Sequence, residues 1–184
     1  MVPEKLLANY FSSEALPIIL EHCRHVTSKA VQVARNCPLA GTLDISFIKE
    51  AAMLHDIGVS LTDSPGLHCS GSAPYITHGV LGREILENEG FPRHALVSER
   101  HIGVGLTVED IIRQKMPLPL RDMTLQTPEE KIVAYADLFF SKRPGMLSME
   151  KTVEQIRAGL SGFGGDKVAI FDEWVKEFSG EKSL

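Results

Sequence analysis

The sequence predicts an all-α fold, a bundle of helices around one core. Three observations predict it: apolar residues recur at three- and four-residue steps in segment after segment, capping and helix-ending residues punctuate those segments, and no convincing pair of strands appears. With 184 residues, 43% apolar and 23% charged, the chain is long enough to fill one core. A single domain over 1–184 is therefore the expectation.

Taken in order, Pro3 to Phe11 reads as a short helix with Leu6, Leu7 and Phe11 on one side. From Glu14 the positions Leu16, Ile19, Cys23, Val26, Ala30, Val33, Ala34 and Cys37 form an amphipathic stripe that Pro38 and Gly41 end. Asp44 or Ser46 caps a third helix running to Leu54. Gly58 stops it, and Ser60 to Tyr75, rich in Pro and Gly, reads as a loop of about sixteen residues, long enough to serve as a lid or specificity loop. Thr77 to Glu89 is helical, and Pro92 opens another helix that ends at Gly103 and Gly105. Thr107 caps a small helix over Val108 to Gln114, and Pro128 starts one through Phe140. Two last helices span roughly Met149 to Leu160 and Lys167 to Phe178, where Trp174 belongs to packing. The run Gly162 to Asp166 has no preceding strand and no Gly-Lys-Ser ending, so it is a helix connection and not a phosphate loop.

Composition narrows the function classes. A net charge of −5 disfavours a surface for long nucleic acid, yet leaves room for a small basic pocket around one phosphate group. No stretch approaches a membrane span, and the start MVPEKLLANYF lacks a basic stretch followed by a long apolar one, so a cytoplasmic protein with no membrane partner is expected. Cys23, Cys37 and Cys69 are odd in number and lack CxxC spacing, as free thiols in a reducing compartment would be.

The chemistry centres on His55 and Asp56, an imidazole and a carboxylate directly after the apolar run Ala51 to Leu54. Unpaired groups there would cost several kcal/mol, whereas a metal ion would satisfy both. His22 or His25 on the second helix, His78 and His101 at helix ends, and Asp137 inside an apolar face add further donors. An acid such as Asp137 near a helix C-terminus opposes the dipole and needs a compensating cation. Six positions exceed what one ion requires of side chains, which points to a binuclear site bridged by Asp56. His55, one early histidine and Asp137 would complete one ion, and His78 with His101 would hold the other. Mixed nitrogen and oxygen ligands suit Fe, Mn, Zn or Co better than Mg, and no thiolate set marks a structural zinc site. Two such ions clamp a phosphoryl oxygen and make hydroxide available near neutral pH.

The ordered series His, His-Asp, His, His and a late Asp resembles the HD superfamily of metal-dependent phosphohydrolases, with the HDIG string at His55 to Gly58 as its namesake form. The strings ITHGVLG, SERHIG and EEKIVAYAD resemble small archaeal-type HD proteins of unassigned substrate, and the architecture resembles bacterial dinucleoside tetraphosphate hydrolases of the same superfamily. The resemblance implies metals held inside the helical bundle, a metal-binding core at about 14–142 and C-terminal helices at about 148–179. It favours His22 over His25, because His22 stands four residues before Val26 and eight before Ala30. It makes His22, His55, Asp56 and Asp137 the ligands of one ion and Asp56, His78 and His101 those of the second, with Fe or Mn foremost and Zn, Co or Ni as further candidates.

The implied activity is hydrolysis of a small phosphate ester or anhydride, a nucleotide or dinucleotide, with Asp56 and Asp137 catalytic. Three other readings stay open: a diiron oxygenase acting on a small polyol or organophosphonate, a nucleotide sensor without catalysis, and a helical structural protein. One departure stands out. Many relatives carry Lys or Arg after HDIG to contact substrate phosphate, where this chain has Val59, leaving Arg83, Arg100 and Lys131 as candidate cations.

Overall fold

The structure, a computed structural model, describes residues 2–179; Met1 and residues 180–184 of the expected domain lie outside the described residues. The chain forms α1 (Pro3–Tyr10), α2 (Ala15–Asn36), α3 (Ile45–Leu54), α4 (His78–Asn88), α5 (Pro92–Arg100), α6 (Val108–Arg113), α7 (Pro128–Leu138), α8 (Val153–Ser161) and α9 (Gly165–Ser179). Caps fix most of the starts. The Asp44 carboxylate accepts from the Phe47 amide at 2.9 Å, and Thr107 with Asp110 and Thr152 with Gln155 form reciprocal capping boxes.

Two differences from the sequence expectation are local. A pair of two-residue antiparallel strands, β1 (Asp63–Ser64) and β2 (Cys69–Ser70), stands inside the stretch read as a loop, flanked by short 3-10 turns at Ile57–Leu61, Pro65–Leu67 and Tyr75–Thr77. Two residues are too few for side-chain alternation to show in a sequence. The eighth helix starts at Val153 and not Met149, because Thr152 caps it and the preceding segment binds the end of α7 instead: the Lys151 amide donates to Phe139 O at 2.8 Å.

Two apolar clusters carry the bundle. One unites α2, α3, α7, α8 and α9 through Val26, Ile48, Ile132, Phe171 and Trp174; the other unites α1, α2, the end of α3 and α4 through Leu7, Ile19, Leu54 and Leu86. Each fully buried side chain of this size contributes about 1.5–3 kcal/mol. Helix α2 spans both clusters, and His22 falls between Ile19 in one and Val26 in the other.

The end of α3, α4 and α5 approach unusually closely because two glycines permit it. A Cβ on Gly58 would stand 2.0 Å from His78 O and 2.3 Å from Gly82 N, and one on Gly82 would stand 2.1 Å from Ser98 Oγ. That same Ser98 hydroxyl donates to His55 O at 2.7 Å. The turn carrying Asp56 is thereby held against the first residue of α4 and the last turn of α5. Among the described residues no helix is long and apolar enough to cross a membrane, and Cys23, Cys37 and Cys69 are buried free thiols.

Candidate metal centre

The six side chains singled out from the sequence come from five helices or their ends. His22 lies within α2, His55 and Asp56 follow α3, His78 opens α4, His101 follows α5, and Asp137 is in the last turn of α7. The structure brings all six together; His22, and not His25, reaches the cluster. His25 instead stacks on Phe140 with ring centroids 5.4 Å apart.

Two donor sets meet at Asp56. His22 Nε2 lies 3.2 Å from Asp56 Oδ2 and 3.0 Å from Asp137 Oδ1, while His55 Nε2 lies 3.1 and 3.4 Å from the same two oxygens. On the other carboxylate oxygen, His78 Nε2 stands 3.5 Å and His101 Nε2 3.6 Å from Asp56 Oδ1, with 3.1 Å between the two nitrogens. Ligand atoms bonded to one ion at about 2.1 Å stand about 3.0 Å apart at a right angle and about 3.4 Å apart at the tetrahedral angle. Both sets have close to that spacing, so either could hold an ion.

Three of the histidines have their tautomer fixed by a carbonyl three residues earlier in the chain. His55 Nδ1 lies 2.7 Å from Ala52 O, His78 Nδ1 2.7 Å from Tyr75 O, and His101 Nδ1 2.7 Å from Ser98 O. A ring nitrogen against a carbonyl oxygen must carry the hydrogen, which leaves each Nε2 free to point a lone pair inward when the ring is neutral. Both ring nitrogens of His22, His55 Nε2, both oxygens of Asp56 and Asp137 Oδ1 are buried without a hydrogen-bond partner. Leaving one such group unsatisfied costs about 1–3 kcal/mol, so this many in one place fits a cation-binding site and not a packed core.

The electrostatics agree. Burial pushes the Asp56 carboxyl up, but His55 and Lys142 overcome it and hold Asp56 well below the usual carboxylate range. Asp137 is likewise held well below that range against burial, chiefly by Lys142 and His22. Burial pulls His55 down, yet Asp56 and Asp137 raise it well above its ordinary value, while burial and the neighbouring His101 lower His78 to about 3.

Lys142 is the functional neighbour that sequence reasoning missed. Its Nζ stands 2.8 Å from Asp56 Oδ2 and 3.9 Å from Asp137 Oδ1, at ion-pair distance from both carboxylates. Its Ser-Lys-Arg-Pro-Gly surroundings just after Asp137 were the available signal, though nothing in them says which of Lys142 and Arg143 turns inward. The three cations considered from the sequence are engaged elsewhere. Arg83 pairs with Glu99 at 2.6 Å, Arg100 with Glu130 at 2.9 Å and Lys131 with Glu177 at 3.7 Å, because each has a glutamate facing it.

Beside the cluster a cavity of about 470 Å³ is lined by Pro65, Leu67, Tyr75, Lys142, Arg143 and Lys151 among others, with three cations and no carboxylate. Lys151 also borders a second cavity of about 380 Å³ whose walls, including Ile76, Ile102, Leu138 and Phe163, are mainly apolar.

Comparison with known proteins adds the wider context. The family model described as HD domain matches residues 19–140. An uncharacterised protein of Methanocaldococcus jannaschii is 40% identical over 129 residues, covering 68% of this chain and 69% of that protein. A tRNA (cytidine(56)-2'-O)-methyltransferase of Thermoplasma volcanium is 33% identical over 179 residues, 96% of this chain but only 46% of that protein. A protein of the same name from Picrophilus torridus is 35% identical over 68% of this chain and 32% of its own length. Among solved structures, the HD domain of the L. monocytogenes phosphodiesterase PgpH in complex with cyclic-di-AMP shares the fold, with a TM-score of 0.55 and 18% identity over 97% of this chain and 99% of that one.

Proposed function

This chain belongs to the HD domain family, and on that premise we propose that it is a metal-dependent phosphohydrolase with a binuclear centre, acting on a small phosphate ester or anhydride such as a nucleotide or dinucleotide. The single observation that carries the reading is the shared carboxylate: Asp56 presents one oxygen to His22 and His55 and the other to His78 and His101. His22, His55, Asp56 and Asp137 would hold one ion and Asp56, His78 and His101 the second, with iron or manganese favoured by the mixed donor set. When bound, such ions supply Lewis acidity toward a phosphoryl oxygen and a water that ionises near neutral pH.

The protein's own residues do the rest. The Nδ1 bonds to Ala52, Tyr75 and Ser98 hold the imidazoles in ligand orientation. Asp137 is the more open carboxylate, with its side chain 17% exposed against 0% for Asp56, and so is the one through which a proton can leave to solvent. The basic cavity at Lys142, Arg143 and Lys151 receives the phosphate, and the apolar cavity next to Lys151 offers room for an organic moiety. The cyclic-di-AMP bound by the PgpH domain supports a small phosphorylated ligand for this fold. The methyltransferase name belongs to proteins of which this chain spans less than half, so methyl transfer is not carried over.

The test combines metal analysis of the purified protein with assays on phosphomonoesters, nucleotides and dinucleotides, run with and without oxygen. Two ions per chain and oxygen-independent phosphate release are expected. Two irons with oxygen-dependent consumption of a polyol or organophosphonate would establish the oxygenase reading instead.

A further inference from the structure

Lys142 has a position that neither a ligand set nor a packing role explains. Its ammonium is largely buried beside the two carboxylates of the cluster, closest to the Asp56 oxygen that also faces His22 and His55. At that distance the ammonium offsets the charge of the oxygen. The rest of its surroundings belong to the basic cavity, where Arg143 and Lys151 are its cationic neighbours. Lys151 does not compete for the carboxylates: its own ammonium donates to Leu138 O at 3.1 Å and Phe140 O at 3.3 Å, which pins the turn that carries Lys142. Val59, the side chain next after the HDIG string, is fully buried and apolar, and Arg83, Arg100 and Lys131 are held by glutamates. Among these cations, Lys142 alone touches both the cluster and the cavity.

We propose that Lys142 is an exchangeable cation: it pairs with Asp56 Oδ2, gives that oxygen up when an ion enters, and then turns to the cavity to bind a phosphate oxygen of the substrate. A divalent ion and an ammonium competing for one carboxylate oxygen repel each other, and the adjoining cavity is where the displaced ammonium meets an anion. The ammonium thus serves two states with one side chain, a counter-charge before loading and a phosphate contact after it. This rests on the phosphohydrolase reading above.

The test uses the full-length protein with the metal alone and with inorganic phosphate as probes. In Lys142→Met, calorimetric titration should show metal binding tighter than in wild type, because the competing cation is gone. Inorganic phosphate should bind the metal-loaded variant about tenfold more weakly, the usual cost of losing one charged hydrogen bond. Lys142→Arg should restore phosphate binding. Weaker metal binding in Lys142→Met would mean that the lysine supports Asp56 in the loaded state, and would overturn the exchange; unchanged phosphate binding would overturn the contact.

Should Lys142→Met fail to fold, the wild type decides. Acylation of Lys142, followed by peptide mass spectrometry, should speed up on metal loading and slow again on adding inorganic phosphate. A rate indifferent to metal would overturn the proposal. A wild type that binds metal and phosphate normally while Lys142 fails these tests leaves the phosphohydrolase reading intact; a wild type that binds no metal overturns both.

Discussion

The Nε2 atoms of His78 and His101 face each other at 3.1 Å, while the Nδ1 atom of each ring is committed to a backbone carbonyl at 2.7 Å. Burial and His101 lower His78 to about 3, so the His78 ring is neutral at ordinary pH and its Nε2 turns a lone pair toward His101. With Asp56 Oδ1 these two nitrogens make up the second donor set. Replacing His78 or His101 by Ala is therefore expected to remove one of two ions and leave the other on His22, His55, Asp56 and Asp137. Metal analysis of the two variants checks this, and two ions per chain in both would disprove the binuclear assignment.

Asp56→Ala should have the broader effect. It removes an oxygen from each donor set, so both ions are expected to be lost and hydrolysis to fall by at least about a thousandfold, the scale on which removing a central stabilising group acts. Stoichiometric metal together with full activity in this variant would contradict the shared-carboxylate reading.

Gly58→Ala tests the backbone beneath the site. The added methyl would meet His78 O and Gly82 N, both main-chain atoms that cannot swing aside. A cost of about 3 kcal/mol or more is expected in chemical denaturation, with the second ion weakened as α4 moves off. Gly90→Ala makes a useful contrast, since nothing lies within 4 Å of its added carbon and its φ of +83° gives only local strain.

Chelation should lower thermal stability. An ion at a hundred times its dissociation constant adds about 2.7 kcal/mol to the native state. The melting temperature should therefore rise with added Mn or Fe and fall with a chelator, and a melting curve indifferent to both would speak against a resident metal.

Acid stability has a predicted origin away from the His and Asp cluster. Asp110 is buried and pairs with Lys167 and, at 2.5 Å, with Arg113. Burial raises its pKa, but the Lys167 and Thr107 contacts outweigh this and hold it below 3.8. A carboxyl depressed in the native state contributes stability that is fully present above its unfolded value near 4 and is lost as pH falls through the folded value. Asp110→Asn should thus be less stable than wild type at pH 7, with the gap narrowing below about pH 4, as denaturation at several pH values would show.

How legible was all this from the sequence? Helix positions and ends were, because caps such as Asp44, Thr107 and Thr152 act within three residues of themselves. Of the two early histidines, periodicity left both open; the family pattern favoured His22, and the structure shows why, since His25 is one turn fraction away and lies on Phe140. Lys142 was illegible because its place depends on how the turn after α7 folds back, held there by Lys151 from a later segment. The engagement of Arg83 with Glu99 and of Arg100 with Glu130 was equally hidden, since the partners are sixteen and thirty residues away.

The contact between Gly58 and α4 has a consequence for anyone altering this protein. The approach of the turn after Asp56 to the start of α4 is main chain lying on main chain, with no side chain at Gly58 to lengthen or shorten it. The spacing behaves as a fixed gauge. A substitution at Gly58 would reset it for the whole of α4 at once, whereas exchanging a donor side chain would change one ligand and leave the gauge as it is.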